Sequence, residues 1–378
     1  MTSRKQFITH GAALLAAHLL PGCSQRAPDS NYAAAVSQIW QPLTAPAAAP
    51  DSARQRTALA TGLAHELVRC ATLAPSSHNT QCWQFVAAGQ SVSILPDLAR
   101  RCPAVDPDDH HLFVSLGCAA ENLAHAALAH GLAALVRLDT SDGGRVVINL
   151  EATRAVVSPL YAAMATRQCT RGPFDSQPLT LAELQLLEKA GTGDGVRVVM
   201  LTARPAIESV LALVTQGNTA QLADAAFVAE LKSWIRFNAA DAVATGDGLY
   251  SGLSGNPSLP QWLGGRLFEL FLRPGSDNDK YASQTRSSAG LAIFISNAND
   301  KVHWVEAGRC YQRFALQAAA LGIRNAMLNQ AVEVPALRGE LANFLGTPND
   351  RPDLVVRFGR GPLLQRSLRR QVEAVLRV

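Results

Sequence analysis

The sequence predicts an α+β protein assembled from two similar halves, and three observations predict it. Ala-rich segments of helical periodicity alternate with short apolar runs that read as strands. A glycine-bounded helical stretch occurs twice at the same spacing, Gly117 to Gly131 and Gly308 to Gly322. A strand-like run precedes each, Ser91 to Leu95 and Leu291 to Ser296. Within the stretches Leu123 matches Phe314, Ala127 matches Ala318 and Leu132 matches Ile323, the pattern expected of a duplicated fold in one chain. Two unrelated Ala-rich helices that both end in Gly are the competing explanation.

In order along the chain, residues 1–25 read as an export signal. Arg4 and Lys5 precede a short apolar core from Gly11 to Leu20, and Leu20-Pro21-Gly22-Cys23 resembles a lipobox. Ser3 to Ile8 resembles a twin-arginine signal with Lys5 in place of the second Arg. The expected location is periplasmic or membrane-anchored through Cys23, with a cytoplasmic protein as the alternative. Residues 26–58 read as a linker with a short helix around Tyr32 to Trp40. A first half spans 59–158: a helix from Ala58 to Leu73 stopped by Pro75, strands at Trp83–Ala87 and Ser91–Leu95, a helix from Leu112 to His130, strands at Leu132–Leu138 and Arg145–Leu150, and a helix over 152–166. A second half spans 159–378, with a final strand at Leu354–Phe358. Residues 205–285 interrupt it, and helices joined by flexible glycines there suit a lid over a site, or a packing insertion.

Composition narrows the function classes. Of 378 residues, 48% are hydrophobic and 17% charged, enough for a large core. The net charge of +4, without Lys/Arg blocks, gives no reason to expect a nucleic acid partner. No uninterrupted apolar run reaches the ~18–20 residues of a spanning helix. Apart from Cys23, the cysteines show no framework spacing and no Cys-x-x-Cys, and read as free and buried. No dinucleotide-binding glycine motif, P-loop or hydrolase elbow occurs.

The chemistry concentrates in Arg69 to Phe85, RCATLAPSSHNTQCWQF. A helix ends at Pro75, and Ser76, Ser77, His78, Asn79 and Gln81 then place hydroxyl, imidazole and amide groups before a strand. By composition this is a polar turn. Its sequence Ala74-Pro75-Ser76-Ser77-His78-Asn79-Thr80-Gln81-Cys82-Trp83 closely resembles the A-P-S-x-x-N-x-Q-P-W motif of the FMN-dependent nitroreductase family, with Cys82 in place of Pro. Arg167-Gln168-Cys169-Thr170-Arg171 resembles that family's R-x-S-x-R segment, with Cys169 for Ser. The C-terminal strand, Gly359 and the basic residues Arg366, Arg369 and Arg370 resemble the family's close.

The resemblance implies a tandem-duplicated nitroreductase-like fold, two mixed or antiparallel sheets flanked by helices, of the Acg-like branch. It implies a monomer that is an internal pseudo-dimer, and FMN as cofactor. Pro75, Ser76, Ser77, Asn79 and Gln81 would lie along the flavin. Arg167, Cys169, Arg171, Arg369 and Arg370 would meet its polar atoms and phosphate, where guanidinium forks suit a doubly charged phosphate. The first half holds the Ser/Asn loop but no Arg pair upstream in Asp51 to Arg56; the second holds the Arg pair but has Gly191 to Val196 where the loop would be. One FMN site between fused halves follows from that division. The implied activity is reduction of a small nitroaromatic or quinone-type acceptor, with NAD(P)H or another donor, and no catalytic side chain. The alternatives are FMN storage with little turnover and an empty, decayed site. The run Asp106, Asp108, Asp109, His110, His111 could take a divalent cation, but reads as a loop and helix cap, so no metal is expected.

Overall fold

The computed structural model describes residues 29–43, 59–254 and 258–377. The expected signal, most of the linker and the Asp51–Arg56 segment lie outside those residues. Helix α1 (Ser30–Ile39) is capped by the Asp29 side chain, and α2 (Thr61–Thr72) follows. Strands β1 (Trp83–Ala88) and β2 (Ser91–Pro96) form the expected hairpin, with Phe85 opposite Ile94. Helix α3 (His110–Ala129) leads to β3 (Leu132–Asp139) and β4 (Arg145–Ala152). The helix expected over 152–166 is only a short turn of helix, α4 (Pro159–Ala163), which Ser158 caps. Pro159 suits a first helical turn, where its missing N–H costs nothing, so the chain before it stays extended.

The second half begins with α5 (Leu181–Gly191), held at its start by a Thr180–Glu183 capping box, and β5 (Val196–Leu201). A long excursion follows: α6 (Arg204–Ala223), α7 (Ala225–Trp234), β6 (Ile235–Arg236), α8 (Ala239–Thr245), β7 (Leu249–Tyr250), α9 (Gln261–Phe271) and α10 (Pro274–Arg286). The chain then resumes with β8 (Gly290–Ser296), α11 (Lys301–Ala320), β9 (Arg324–Met327), α12 (Gln330–Glu333), α13 (Pro335–Phe344) and β10 (Arg351–Gly359), and ends in β11 (Leu376–Arg377).

The halves share a topology. The first sheet runs β11-β1-β2-β4-β3 and the second β5-β8-β10-β9. Removing β11 leaves the same order of antiparallel pairs, each built as helix, hairpin partners, long helix, strand, strand. The last strand crosses over: β11 pairs in parallel with β1, Phe85 opposite Leu376. Helices α3 and α11 cross at the centre, where the paired glycines meet reciprocally. A Cβ on Gly117 would lie 2.0 Å from the Val305 carbonyl oxygen, and one on Gly308 would lie 2.0 Å from that of Val114. Only glycine allows backbones this close. Glu121 on α3 bonds Arg309 and Arg313 on α11, tying the crossing with buried charge.

Strands β8 and β10 are buried along their whole length. One face packs Phe294, Val356 and Phe358 onto α11, while Ile293, Ile295 and Val355 pack against Ile207, Val210 and Val214 of α6. Helix α6 is therefore core rather than cover, which shortens the stretch that can act as a lid. Helix α3 is long and apolar enough to cross a membrane, with mean hydropathy 1.3, although no unbroken apolar run suggested it. In the fold 83% of that window is buried in protein, so it is the core helix of the first half.

Candidate functional site

The loop between α2 and β1 has a backbone of its own. His78, Asn79 and Gln81 all have positive φ (48°, 55° and 53°), a left-handed conformation that non-glycine residues adopt only when the surroundings hold them there. The holding groups are visible. Ser76 Oγ accepts the Gln81 N–H at 2.9 Å. Asn79 Nδ2 donates to the carbonyls of Gly248 and Leu368, and Asn79 Oδ1 accepts from Arg369 at 3.0 Å. Gln81 Nε2 donates to the Gly246 carbonyl, and its Oε1 accepts the Arg370 N–H. The amides of Asn79 and Gln81 thus secure the loop to the long excursion and to the C-terminal segment. Pro75, Ser76, Ser77 and His78 remain partly exposed.

The arginines of the second half reach this loop. Arg167 is buried and donates through Nη2 to the Leu73 carbonyl at 2.8 Å, at the end of α2. Arg369 donates to the carbonyls of Thr72, Leu73 and Ala74. Arg171 is exposed, and its charge adds to burial in pushing the His78 imidazole down to about 4. Arg370 is spent on the Gln81 and Ala374 carbonyls, beside Asp97. Cys169 bridges to Asn325 at the free edge of β9. Arg366 and Arg369 both lie over the Trp40 ring, 5.1 and 5.0 Å from its centre. The segment that bears them is extended, with no final helix.

Around Arg167 the charge is unbalanced. Arg366 and Arg369 feel its charge and Arg366 also that of Arg324, while Arg357 lies over the Phe174 ring and bonds the Thr170 and Gly172 carbonyls; none of the hydrogen bonds these side chains make ends on a carboxylate among the described residues. Burial, then the neighbouring Arg167, pushes Arg369 down to about 9, and burial pushes Arg357 down to about 10. Arg366 is lowered by burial and then by Arg167 and Arg324. The Nε atoms of Arg167 and Arg357 are buried without a hydrogen-bond partner. Buried cations without counter-charge are costly, and a multiply charged anion is the group that would relieve them. Arg324 and Arg357 escaped the sequence reading. The signal for Arg357 was present: a lone cation in the otherwise apolar strand from Leu354 to Phe358.

No family model matches the chain. Two proteins of Mycobacterium tuberculosis provisionally named NAD(P)H nitroreductase align with it. One is 24% identical over 309 residues, covering 78% of this chain and 83% of its own length. The other, Acg, is 24% identical over 319 residues, covering 82% and 92%. The chain is thus similar in sequence, over most of its length, to proteins named as nitroreductases. Solved structures superpose loosely. The Desulfitobacterium hafniense nitroreductase with bound FMN gives a TM-score of 0.37 at 14% identity, covering 59% of this chain and all of that one. The Mycobacterium smegmatis nitroreductase NfnB in complex with NADPH gives 0.35 at 13%, covering 54% and 87%.

The chain closes its loop with a strap. Asp247, between the loop's anchors Gly246 and Gly248, is bonded by Arg100 and Arg236. Burial pushes the Asp247 carboxyl up, but the hydrogen bonds from Arg236 and Arg100 outweigh it and hold it below its ordinary range. Both guanidiniums also lie over the Trp234 ring. The two most marked cavities lie away from Ser76 and Arg171. One, of about 320 Å³, is lined by Ile39, Gly246, Arg369 and Arg370 among others, and the other, of about 420 Å³, lies along α6.

Proposed function

We propose that this chain is an FMN-binding, nitroreductase-like oxidoreductase with one flavin site between two fused, duplicated halves. The observation that carries the reading is the carboxylate-free arginine cluster where the second half meets the Ser76–Gln81 loop of the first. The donor set fits a phosphate monoester. Arg167, Arg324 and Arg366 would hold the phosphate, with Arg167 Nε as an unpaired donor. Ser76 and Ser77 would offer polar contacts, and Arg171 a charge near the flavin. Cys169, a weaker donor than the family's serine, would contribute less.

When bound, flavin supplies the hydride and electron chemistry for reducing a nitroaromatic or quinone-type acceptor. The chain's part is to bind, orient and exclude water. Arg369 fixes the end of α2 and Asn79, and with them the loop. Burial, then the charges of Arg171 and His111, push the His78 imidazole down to about 4, so it faces the site uncharged near neutral pH. Replacing Arg167 and Arg171 together by Ala tests the assignment, since each charged hydrogen bond contributes about 1.5–3 kcal/mol. The double variant should be purified without flavin; undiminished flavin content would sink the assignment.

One observation favours storage of FMN as a second reading. Asn79 and Gln81 tie the loop to Gly248 and Gly246, so α7 to α9 act as a lid already fastened over it. Anaerobic NAD(P)H separates the two: rapid bleaching of the flavin marks the oxidoreductase, and tight retention without bleaching marks storage. Export, with Cys23 as the lipid anchor, and a monomeric state belong to the same proposal. Cell fractionation with a Cys23→Ala variant, and light scattering, test them.

A further inference from the structure

At the start of α3, Asp106, His110 and His111 are all buried, and one donor atom from each lies within 4.8 Å of the other two. The expected capping role is present, for the Asp106 carboxylate accepts the N–H groups of His111 and Leu112 at 3.0 Å each. Two features exceed capping, and both come from the other half of the chain. First, one residue pins both imidazoles: Asp353 on β10 meets His110 Nε2 with Oδ1 at 2.8 Å and His111 Nε2 with its carbonyl oxygen at 3.3 Å. A carbonyl only accepts, so His111 must carry its proton on Nε2, which leaves the Nδ1 lone pair free. An oxygen acceptor behind each ring is the arrangement that orients metal-binding histidines.

Second, α12 places Glu333 Oε1 at 3.8 Å from His111 Nδ1. That is too long for a hydrogen bond. It is close to the roughly 3.4 Å between ligand atoms that sit about 2.0–2.1 Å from a tetrahedral zinc ion. The charge balance agrees. The pocket gathers the carboxyls of Asp106 and Glu333 and the two imidazoles in buried surroundings. The nearby cation Arg351 is turned to Asn299, Asp108 and the rim of Asp353. The far oxygen of Glu333 is held by Gln221, so the carboxylate is already oriented.

We propose that Asp106, His110, His111 and Glu333 bind one divalent transition-metal ion of the zinc type, with Asp353 as the positioning residue. A donor set of imidazole nitrogen and carboxylate oxygen without thiolate suits that class. The ion would join the first half, through Asp106, His110 and His111, to the second, through Glu333. It lies close to the Ser76–Gln81 loop, for His111 is among the groups that lower His78.

The test uses the full-length, untagged protein after dialysis against a chelator, titrated with Zn²⁺ and, separately, with Co²⁺. One tight equivalent is expected, with the intense visible bands of four-coordinate Co²⁺ and a rise in Tm on adding Zn²⁺. His111→Ala and Glu333→Gln should each lose the tight equivalent and the Tm rise, and Glu333→Gln, nearly isosteric, keeps the fold. The surface control His303→Ala should bind as the parent does. Absence of a tight equivalent in the parent, or undiminished binding in Glu333→Gln, overturns the proposal.

Discussion

The two halves share an order of strands and differ at the turn before the first strand. In the first half residues 73–82 link α2 to β1 through three left-handed residues; in the second, residues 192–195 link α5 to β5. The excursion is placed the other way. A tight turn at Gly89 joins β1 to β2, while α6 to α10 separate β5 from β8. One half therefore owns a shaped polar loop, and the other owns the arginines and the strap that fasten onto it. A shared scaffold holds both, and the differences sit in the connections, where backbone can change without disturbing a core. At the crossing of α3 and α11, by contrast, the halves are alike to the residue: Gly117 faces Val305, and Gly308 faces Val114.

That contrast can be broken at the crossing first. Gly308→Ala forces a methyl group into the Val114 carbonyl, and Gly117→Ala into that of Val305. Each should cost about 3 kcal/mol or more in urea unfolding, at the upper end of overpacking effects. Next in size is Glu121→Gln, which takes from Arg309 and Arg313 one of the two carboxylates that hold them, Glu306 remaining, and should cost about 2–3 kcal/mol. Burial pushes the Glu121 carboxyl up, but the hydrogen bond from His125 and the charges of Arg313 and Arg309 overcome it and hold it at about 2. Its folded value lies below its unfolded one, so its contribution is present above about pH 4.5 and is lost as pH falls towards 2. An acid titration of Tm should show that loss in the parent and a shallower slope in Glu121→Gln.

Asp247→Asn probes the asymmetric part. It removes the counter-charge of Arg100 and Arg236 and should cost about 2 kcal/mol. Hydrogen exchange should quicken at Gly246, Gly248 and the Ser76–Gln81 loop while the α3–α11 crossing stays protected. Equal quickening in both places would mean that strap and core open as one unit. The smallest effect belongs to Gly62, on α2, where a methyl group would meet nothing within 4 Å. Gly62→Ala should stabilise by up to about 1 kcal/mol through helix propensity alone, the opposite sign to Gly308→Ala.

The fold was readable wherever side-chain periodicity decided it. The strands at Trp83, Ser91, Leu132, Arg145, Leu291 and Leu354 and the helix ending before Gly131 stand where alternation and the glycine cap put them. The stretch 152–166 misled because its apolar residues have helical spacing, yet Pro159 and the exposed Val156 and Val157 keep its front half extended. The 205–285 segment read as a lid because its glycines and prolines stand out, while the core face of α6 at Ile207, Val210 and Val214 is an ordinary helical stripe. In the candidate site, local motifs showed the Ser/Asn loop and Arg167. Arg324, Arg357, Glu333 and Asp353 arrive from distant strands and helices, and only the fold brings them in. The motif pointed to Asn79 and Gln81, and the fold adds that their amides hold the loop in place.

The central claim is that the two halves share a single flavin site. Counting FMN released from denatured, freshly purified protein tests it most directly. The account predicts close to one FMN per chain, falling towards none when Arg167 and Arg366 are both replaced by Ala. Two FMN per chain, or one that survives that double replacement, would contradict it.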